Sequence, residues 1–148
     1  MDSYVDSVLV AGEQVIHRGQ ISWLSMIPAF VIGGLMLLFG LLMPFLFLIG
    51  LIWIITSVVR RLTTELAVTN KRVVAKTGLI SRNTIEMNLT KVESVRVNQS
   101  ILGRMLDYGS IVVNGTGGDA APVPYVADPM GFKRAVTNAT DAAQQQGR

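Results

Sequence analysis

The sequence predicts a membrane-inserted helical hairpin that carries one small, mainly-β domain closed by a single C-terminal helix. Three observations predict this architecture. Forty-one consecutive residues, Gly19 to Val59, carry no charge. Apolar and polar residues alternate with period two after the run, which is typical of half-buried strands. A helix-start signal, Asp128-Pro129, then precedes one last apolar stripe.

The uncharged run is long enough for two membrane spans. A bilayer core needs about 20 helical residues at about 1.5 Å each. We predict spans at about Ile21–Gly40 and Leu41–Val59, joined by a wholly apolar turn. The turn either lies at the far headgroup layer or belongs to a hairpin that stops short of crossing or is covered by a partner. A cleaved signal peptide fits poorly, because the run is too long and no small-residue cleavage site follows it.

Charges and tryptophans flank the run and predict its orientation. Arg18 precedes it and Arg60 and Arg61 follow it directly, and positive flanks are typical of the cytoplasmic side. Trp23 and Trp53 lie near these charged ends, where indole rings prefer the headgroup level. We therefore expect two passes, with both termini and the β domain in the cytoplasm.

Three small residues lie on one face of the first span. Ala29, Gly33 and Gly40 follow at i, i+4 and i+11, a spacing that lets a second helix approach closely. They serve either the packing of the two spans against each other or homo-oligomerisation within the membrane.

The remaining chain predicts short strands and one helix. Period-two patterns and turn residues place strands at about 62–68, 72–76, 84–90, 92–98, 110–114 and 123–126. Such strands predict an antiparallel sheet that curls into a small barrel or sandwich. The final helix starts after Asp128, and its apolar stripe is formed by Phe132, Val136, Ala139 and Ala143. We expect this stripe to close one end of the barrel and residues 144–148 to fray.

Several motifs together resemble one family. They are Val68-Thr69-Asn70-Lys71-Arg72-Val73, Gly78-Leu79-Ile80, Val92-Glu93-Ser94-Val95, Gln99-Ser100-Ile101-Leu102-Gly103-Arg104, Tyr108-Gly109 and Asp128-Pro129. Over about residues 12–135 the chain resembles the bacterial PH-like family of membrane proteins, with its YdbS-like and YdbT-like members. Asp107 departs from the family pattern, in which a small residue is more usual. The early Gly12-Glu13-Gln14-Val15-Ile16 resembles a short strand that members carry before the hairpin.

The resemblance implies a PH-like barrel whose first strand precedes the membrane helices, and it implies no known catalysis. We therefore expect four parts: an N-terminal segment at 1–20 whose strand joins the domain, a transmembrane hairpin at 21–59, a PH-like domain at 60–143 and a tail at 144–148. The expected location is a bacterial inner membrane.

Composition argues against several other functions. The chain has no Cys and one His, which leaves no thiol catalysis and no usual zinc cluster. Gly115-Thr116-Gly117-Gly118 lacks the Lys of a phosphate loop and is typical of a hairpin turn. Basic residues alternate with acids instead of forming a block, so we expect no nucleic-acid binding. We predict no catalytic residue, metal or cofactor.

Two sets of residues are candidate contact sites. The candidates for membrane-surface or lipid contact are Arg18, Arg60, Arg61, Lys71, Arg72 and Arg104. They serve nonspecific adhesion or specific headgroup recognition; the Thr69–Arg72 reversal is too short for the long basic loop of resembling eukaryotic domains. The second candidate is a loop, Gln99, Ser100, Ile101, Leu102, Gly103 and Arg104, which either closes the barrel against the membrane or docks a protein.

Taken together, these features predict a membrane-tethered interaction or scaffold module. Its expected partners are membrane lipids and either a second copy of the chain or another membrane protein. The alternative is a sensor of anionic lipid headgroups at the cytoplasmic membrane surface.

Overall fold

The computed structural model describes residues 4–78, 83–117 and 120–146. Its elements are α1 (Tyr4–Val8), β1 (Val15–Gly19), α2 (Ile27–Phe39), α3 (Pro44–Thr63), β2 (Glu65–Thr69), β3 (Arg72–Thr77), β4 (Asn83–Asn88), β5 (Val92–Asn98), α4 (Ile101–Met105), β6 (Tyr108–Gly115), β7 (Ala120–Ala127) and α5 (Pro129–Gln146). Short 3-10 turns at Leu24–Met26 and Leu89–Lys91 precede α2 and β5.

The strands form two antiparallel sheets, which share one core with α5. The first sheet has the order β1-β2-β3-β4 and the second β5-β6-β7. Both sheets and α5 contribute buried side chains to this core, among them Leu66, Val68, Val73, Ile111, Val113, Val126, Phe132 and Val136. The predicted mainly-β domain with a C-terminal helix is thereby confirmed.

β2 is buried on both faces instead of one. Leu66 and Val68 enter the main core, while Ala67 packs with Val5 of α1 and Val74 of β3 in a second, smaller cluster. The prediction that Leu62 shares a strand face with Leu66 is wrong, because α3 continues to Thr63 and β2 begins only at Glu65.

α5 begins where the sequence predicts. Asp128 Oδ1 accepts a hydrogen bond from the Gly131 N–H at 2.8 Å, which caps the first turn. Phe132, Val136 and Ala139 are buried in the core, as the stripe predicts. α5 continues to Gln146, so residues 144–146, where the sequence predicts a frayed tail, are helical.

α2 and α3 pack against each other as an antiparallel hairpin joined by a short turn, residues 40–43. A Cβ atom on Gly33 would lie 2.6 Å from Ile54 Cγ1, and one on Gly50 would lie 2.8 Å from the Gly33 carbonyl oxygen. A Cβ on Gly40 would lie 2.6 Å from Phe47 Cα. Gly33 and Gly40 therefore serve the packing of the two helices, and Gly50 is a third contact that sequence reasoning missed.

The first helix is shorter than predicted. Ile21 forms a bridge with Val126, and the Ser22 N–H donates to the Tyr125 carbonyl at 2.8 Å, so both belong to the domain instead of a span. Within the described residues, Pro44–Thr63 is the one helix long and apolar enough to cross a membrane, with a mean hydropathy of 2.0, and the apolar helix Leu24–Phe39 is shorter. Helix length in the described residues thus does not support two full spans.

Candidate functional site at the base of the hairpin

The chain enters and leaves the hairpin at one end of the domain. Gly19, the last residue of β1, pairs with Leu66 near the start of β2, which directly follows α3. Ile21 bridges Val126 at the end of β7. We call this the hairpin-proximal end.

A cleft of about 600 Å³ lies at this end, between the hairpin and the second sheet. It is lined by Ile21, Ser25, Met26, Pro28, Ala29, Ile32, Ile49, Ile52, Trp53, Thr56, Ser57, Arg60, Tyr108 and Tyr125. The lining is apolar along α2 and most of α3, and its polar groups gather towards Arg60. Small-molecule sites have this character and span about 300–1,000 Å³.

Tyr125 reaches this cleft from a bulge in β7. Gly109 pairs with Val126 and Ile111 with Val123, so two residues of β7 oppose one of β6. Tyr125 takes a left-handed φ of 61° there, a conformation that costs a non-glycine residue about 1–3 kcal/mol. The bulge aims the phenol ring at the hairpin, and the Arg60 guanidinium carbon lies 5.9 Å from the ring centroid.

Two further arginines lie at the hairpin-proximal end. The Arg61 guanidinium carbon stacks 3.9 Å from the Trp23 ring centroid, and its buried Nη1 has no hydrogen-bond partner among the described residues. Arg18 pairs with Asp6 and shares with Arg61 the lining of a smaller cavity of about 270 Å³. The fold therefore gathers three of the six predicted basic residues near both tryptophans, since Trp53 lines the cleft.

Lys71 and Arg72 lie at the opposite end. β2 runs away from α3, so the β2–β3 turn is displaced by about five residues of strand, or about 17 Å. Arg72 pairs there with Glu13 and Glu86 at 2.8 and 2.6 Å. Lys71 Nζ donates to the Ala11 carbonyl at 3.0 Å. The fold thus uses both cations for internal contacts.

Glu13 is the centre of this distal cluster, and sequence reasoning did not select it. Burial would raise the pKa of Glu13, but hydrogen bonds from Arg72, the Val10 N–H and Thr69 outweigh burial and hold the pKa below its usual range. The hydrogen bonds and charge of Glu13, joined by those of Glu86, raise the pKa of Arg72. The signal was present, because the Gly12-Glu13 and Thr69–Arg72 motifs both carry the family resemblance.

The predicted docking loop contains a short helix, so its description as a loop is wrong. Ser100 Oγ accepts from the Gly103 N–H at 3.0 Å and caps α4. Ile101, Leu102 and Met105 project outward and are 83%, 56% and 77% exposed.

α4 lies close to the cleft. Gln99 and Ser100 line a groove together with Tyr108 and Tyr125, and these two tyrosines also line the cleft. Arg104 is exposed on the same short helix and is not among the residues that line either cavity.

Exposed apolar side chains concentrate at this end. Outside α2, α3 and the turn between them, the large exposed apolar residues in the described ranges are Val10, Ile16, Trp23, Leu24, Ile101, Leu102, Met105, Tyr125 and Met130. Trp23 and Leu24 follow β1, Ile101, Leu102 and Met105 belong to α4, and Tyr125 and Met130 lie at or just beyond the end of β7. We call these seven residues, together with Arg60 and Arg61, the hairpin-proximal surface.

The described part of the chain contains no group of three or more His, Asp or Glu side chains placed to hold a metal ion. His17 lies on β1, with its ring edge-on to Phe132 at a centroid distance of 5.8 Å. It therefore packs against the core.

Comparison with known proteins gives one match. A family model described as a bacterial PH domain matches residues 21–139, which include the hairpin and most of the domain. No curated protein and no solved structure matches the chain significantly. The matched range begins after β1, although β1 completes the first sheet.

Proposed function

This chain belongs to the bacterial PH domain family, and we propose that it is a membrane-anchored interaction module whose hairpin lies in the bilayer. PH-like domains are generally non-catalytic modules that bind lipids or proteins. The finer YdbS-like and YdbT-like naming stays a prediction.

The observation that carries this proposal is the exposed apolar surface of the hairpin. Large side chains are exposed on both helices and at the tip, where Leu41 and Leu42 are 79% and 82% exposed. An apolar surface this extensive, with no charge between Gly19 and Val59, is unstable in water and marks a membrane or protein contact. The domain has its own core and does not need the hairpin to bury it.

Helix lengths shape the proposed insertion. α3 has 20 residues and spans about 30 Å, whereas Leu24–Phe39 reaches only about 24 Å. The shorter helix is accommodated if the base of the hairpin sits within the headgroup layer, or if the bilayer thins locally. We propose a two-pass topology in a bacterial inner membrane with both termini cytoplasmic, and the arginines at the base support this orientation.

In this orientation the hairpin-proximal surface rests on the membrane. Arg60 and Arg61 meet anionic headgroups, each contributing about 1 kcal/mol. Ile101, Leu102 and Met105 of α4 dip into the interface. Lys71 and Arg72 take no part, because they lie at the distal end and make internal contacts.

A second candidate function is protein scaffolding. The observation in its favour is the same outward apolar face of α4, which offers a docking surface of about one helical turn to a second copy of the chain or to another membrane protein. In this alternative the partner, and not lipid, covers Ile101, Leu102 and Met105.

Measuring the membrane topology of the chain tests the proposal directly. The chain lacks Cys, so single cysteines at Thr116 in the β6–β7 turn and at Leu42 in the hairpin tip give unambiguous labelling. In intact spheroplasts we expect a membrane-impermeant maleimide to leave Thr116→Cys unlabelled, and to label it after lysis. Labelling of Thr116→Cys before lysis, or release of the chain from membranes by alkaline carbonate, would contradict the proposal.

A further inference from the structure

We propose that the cleft at the base of the hairpin is a specific site for one anionic glycerophospholipid, with its phosphate at Arg60 and an acyl chain between α2 and α3. The inference deepens the proposed membrane function and rests on it. Of the six cations that the sequence suggested for headgroup contact, the inference keeps Arg60 and excludes Lys71 and Arg72 at the β2–β3 turn.

The cleft has the polarity of a lipid. Its inner part is lined by Ala29, Ile32, Ile49 and Ile52, which offer only apolar surface. Its outer part holds Thr56, Ser57, Arg60 and Tyr125. This gradient runs along α3 towards its C-terminal end, the direction in which a bilayer passes from acyl chains to headgroups.

Arg60 is the cation suited to the phosphate. Among the described residues it has no carboxylate partner within ion-pair distance, unlike Arg72 with its two. The hydroxyl groups of Thr56 and Ser57 both donate to the Trp53 carbonyl at 2.9 Å, so their hydrogens are engaged. The guanidinium of Arg60 is therefore the main donor for a phosphate at the polar end of the cleft, and it carries the positive charge that a phosphate requires.

Tyr125 supports the same assignment. A left-handed φ in a non-glycine residue persists only where the surrounding structure imposes it, and such strain concentrates at ligand sites. Here it places an aromatic ring beside Arg60, and both residues line the cleft. The phenol ring thus offers the guanidinium a cation–π contact at the polar end of the cleft.

Charge favours an anionic lipid over a zwitterionic one. Arg60 is the charged residue among those that line the cleft, and Arg61 is its neighbour in sequence at the base of the hairpin. A phosphatidylglycerol molecule brings a phosphate without the cationic amine of phosphatidylcholine. We therefore expect selectivity between these two lipids.

The test measures lipid binding to the full chain in mild detergent. Native mass spectrometry during titration with phosphatidylglycerol should show one lipid retained, in preference to phosphatidylcholine. Arg60→Gln should weaken retention about tenfold, as expected for the loss of one charge-assisted hydrogen-bonded contact. Arg96→Gln, an equal charge change at an exposed position on β5, should bind as the unmodified chain does.

A second pair of variants tests the acyl part. Ala29→Phe places a ring in the cleft and should reduce binding with the charge unchanged. Val31→Phe, on the same helix but 55% exposed and outside the cleft, is its control. Unchanged circular dichroism spectra and melting temperatures would show that the variants are folded.

Each other outcome overturns the inference. Retention that falls with Arg60→Gln but not with Ala29→Phe means surface adhesion only. Equal binding by all variants means no site in the cleft. A protein chain that co-purifies and is lost with Ala29→Phe means a protein occupant. Because this assay needs no membrane crossing, it can fail while the topology holds, and the topology can fail while it succeeds.

Discussion

Glu13 and Arg72 form a bidentate ion pair, with Nε–Oε1 and Nη2–Oε2 distances of 2.9 and 2.8 Å. The Glu13 side chain is fully buried and Arg72 is 20% exposed. Thr69 donates to the same carboxylate at 2.8 Å. The pair joins the segment before the hairpin to the β2–β3 turn after it, so it closes the domain across the point where the hairpin is inserted in the chain.

Breaking this pair should destabilise the domain. Arg72→Gln leaves a buried carboxylate without its cation, and we expect a loss of about 3 kcal/mol in the free energy of unfolding. The double variant Glu13→Gln/Arg72→Gln buries no charge and should recover part of that loss. Chemical denaturation of the full chain in detergent measures both. Arg96→Gln should change stability by less than about 0.5 kcal/mol, and an equal loss in Arg96→Gln and Arg72→Gln would contradict the role of the pair.

The same pair should make stability depend on acid. The folded-state pKa of Glu13 lies below its ordinary value of 4.5, so its contribution is complete above that value and is lost as pH falls through the folded pKa. Arg72 stays charged throughout, because its pKa is raised. Between about pH 6 and pH 3, unfolding of Glu13→Gln should depend less steeply on pH than unfolding of the unmodified chain. Parallel pH curves would show that Glu13 does not carry the dependence.

The hairpin should tolerate an added methyl group at one glycine and not at another. A Cβ on Gly50 would lie 2.8 Å from the Gly33 carbonyl oxygen and 2.9 Å from Met36 Cβ, whereas one on Gly34 would meet nothing within 4 Å. Gly50→Ala should therefore separate α2 from α3 and cost about 1–3 kcal/mol. Thermal unfolding in detergent compares this variant with Gly34→Ala. The stability of Gly34→Ala should equal or slightly exceed that of the unmodified chain. A harmless Gly50→Ala would mean that the helices are not closely packed.

A dye attached to the outward face of α4 should show whether lipid or protein covers that face. A polarity-sensitive dye on Ile101→Cys should shift to the blue in nanodiscs of phosphatidylglycerol, because the side chain enters the interface. A dye on Thr116→Cys, in the β6–β7 turn, should not shift. A blue shift that appears only with a co-purified protein, and not with lipid alone, would favour the scaffold function.

Local patterns in the sequence predicted much of the fold. Asp128-Pro129 predicted the start of α5, and the period-two stretches and turn residues predicted six strands, β2 to β7. The α4 helix was missed although Ser100 before Ile101 and Leu102 is an N-cap signal. One turn of helix shows too few periodic positions to be distinguished from a loop.

The site was less predictable, because it depends on contacts between distant residues. Ile21 and Ser22 are apolar or neutral and continue the uncharged run, yet they pair with β7, about 100 residues later. Arg60 and Arg72 look alike as surface cations. Only the fold gives Arg72 its carboxylate partners and places Arg60 at the cleft.

The uncharged length from Gly19 to Val59 and the strand alternation are local properties, and they suffice to indicate an apolar hairpin and a mainly-β domain. The contacts that each cation and Tyr125 make could be known only from the packed structure. Glu13 and Arg72 stand 59 positions apart in the chain. The free energy of their contact comes from burial and geometry that exist only once the sheets have closed.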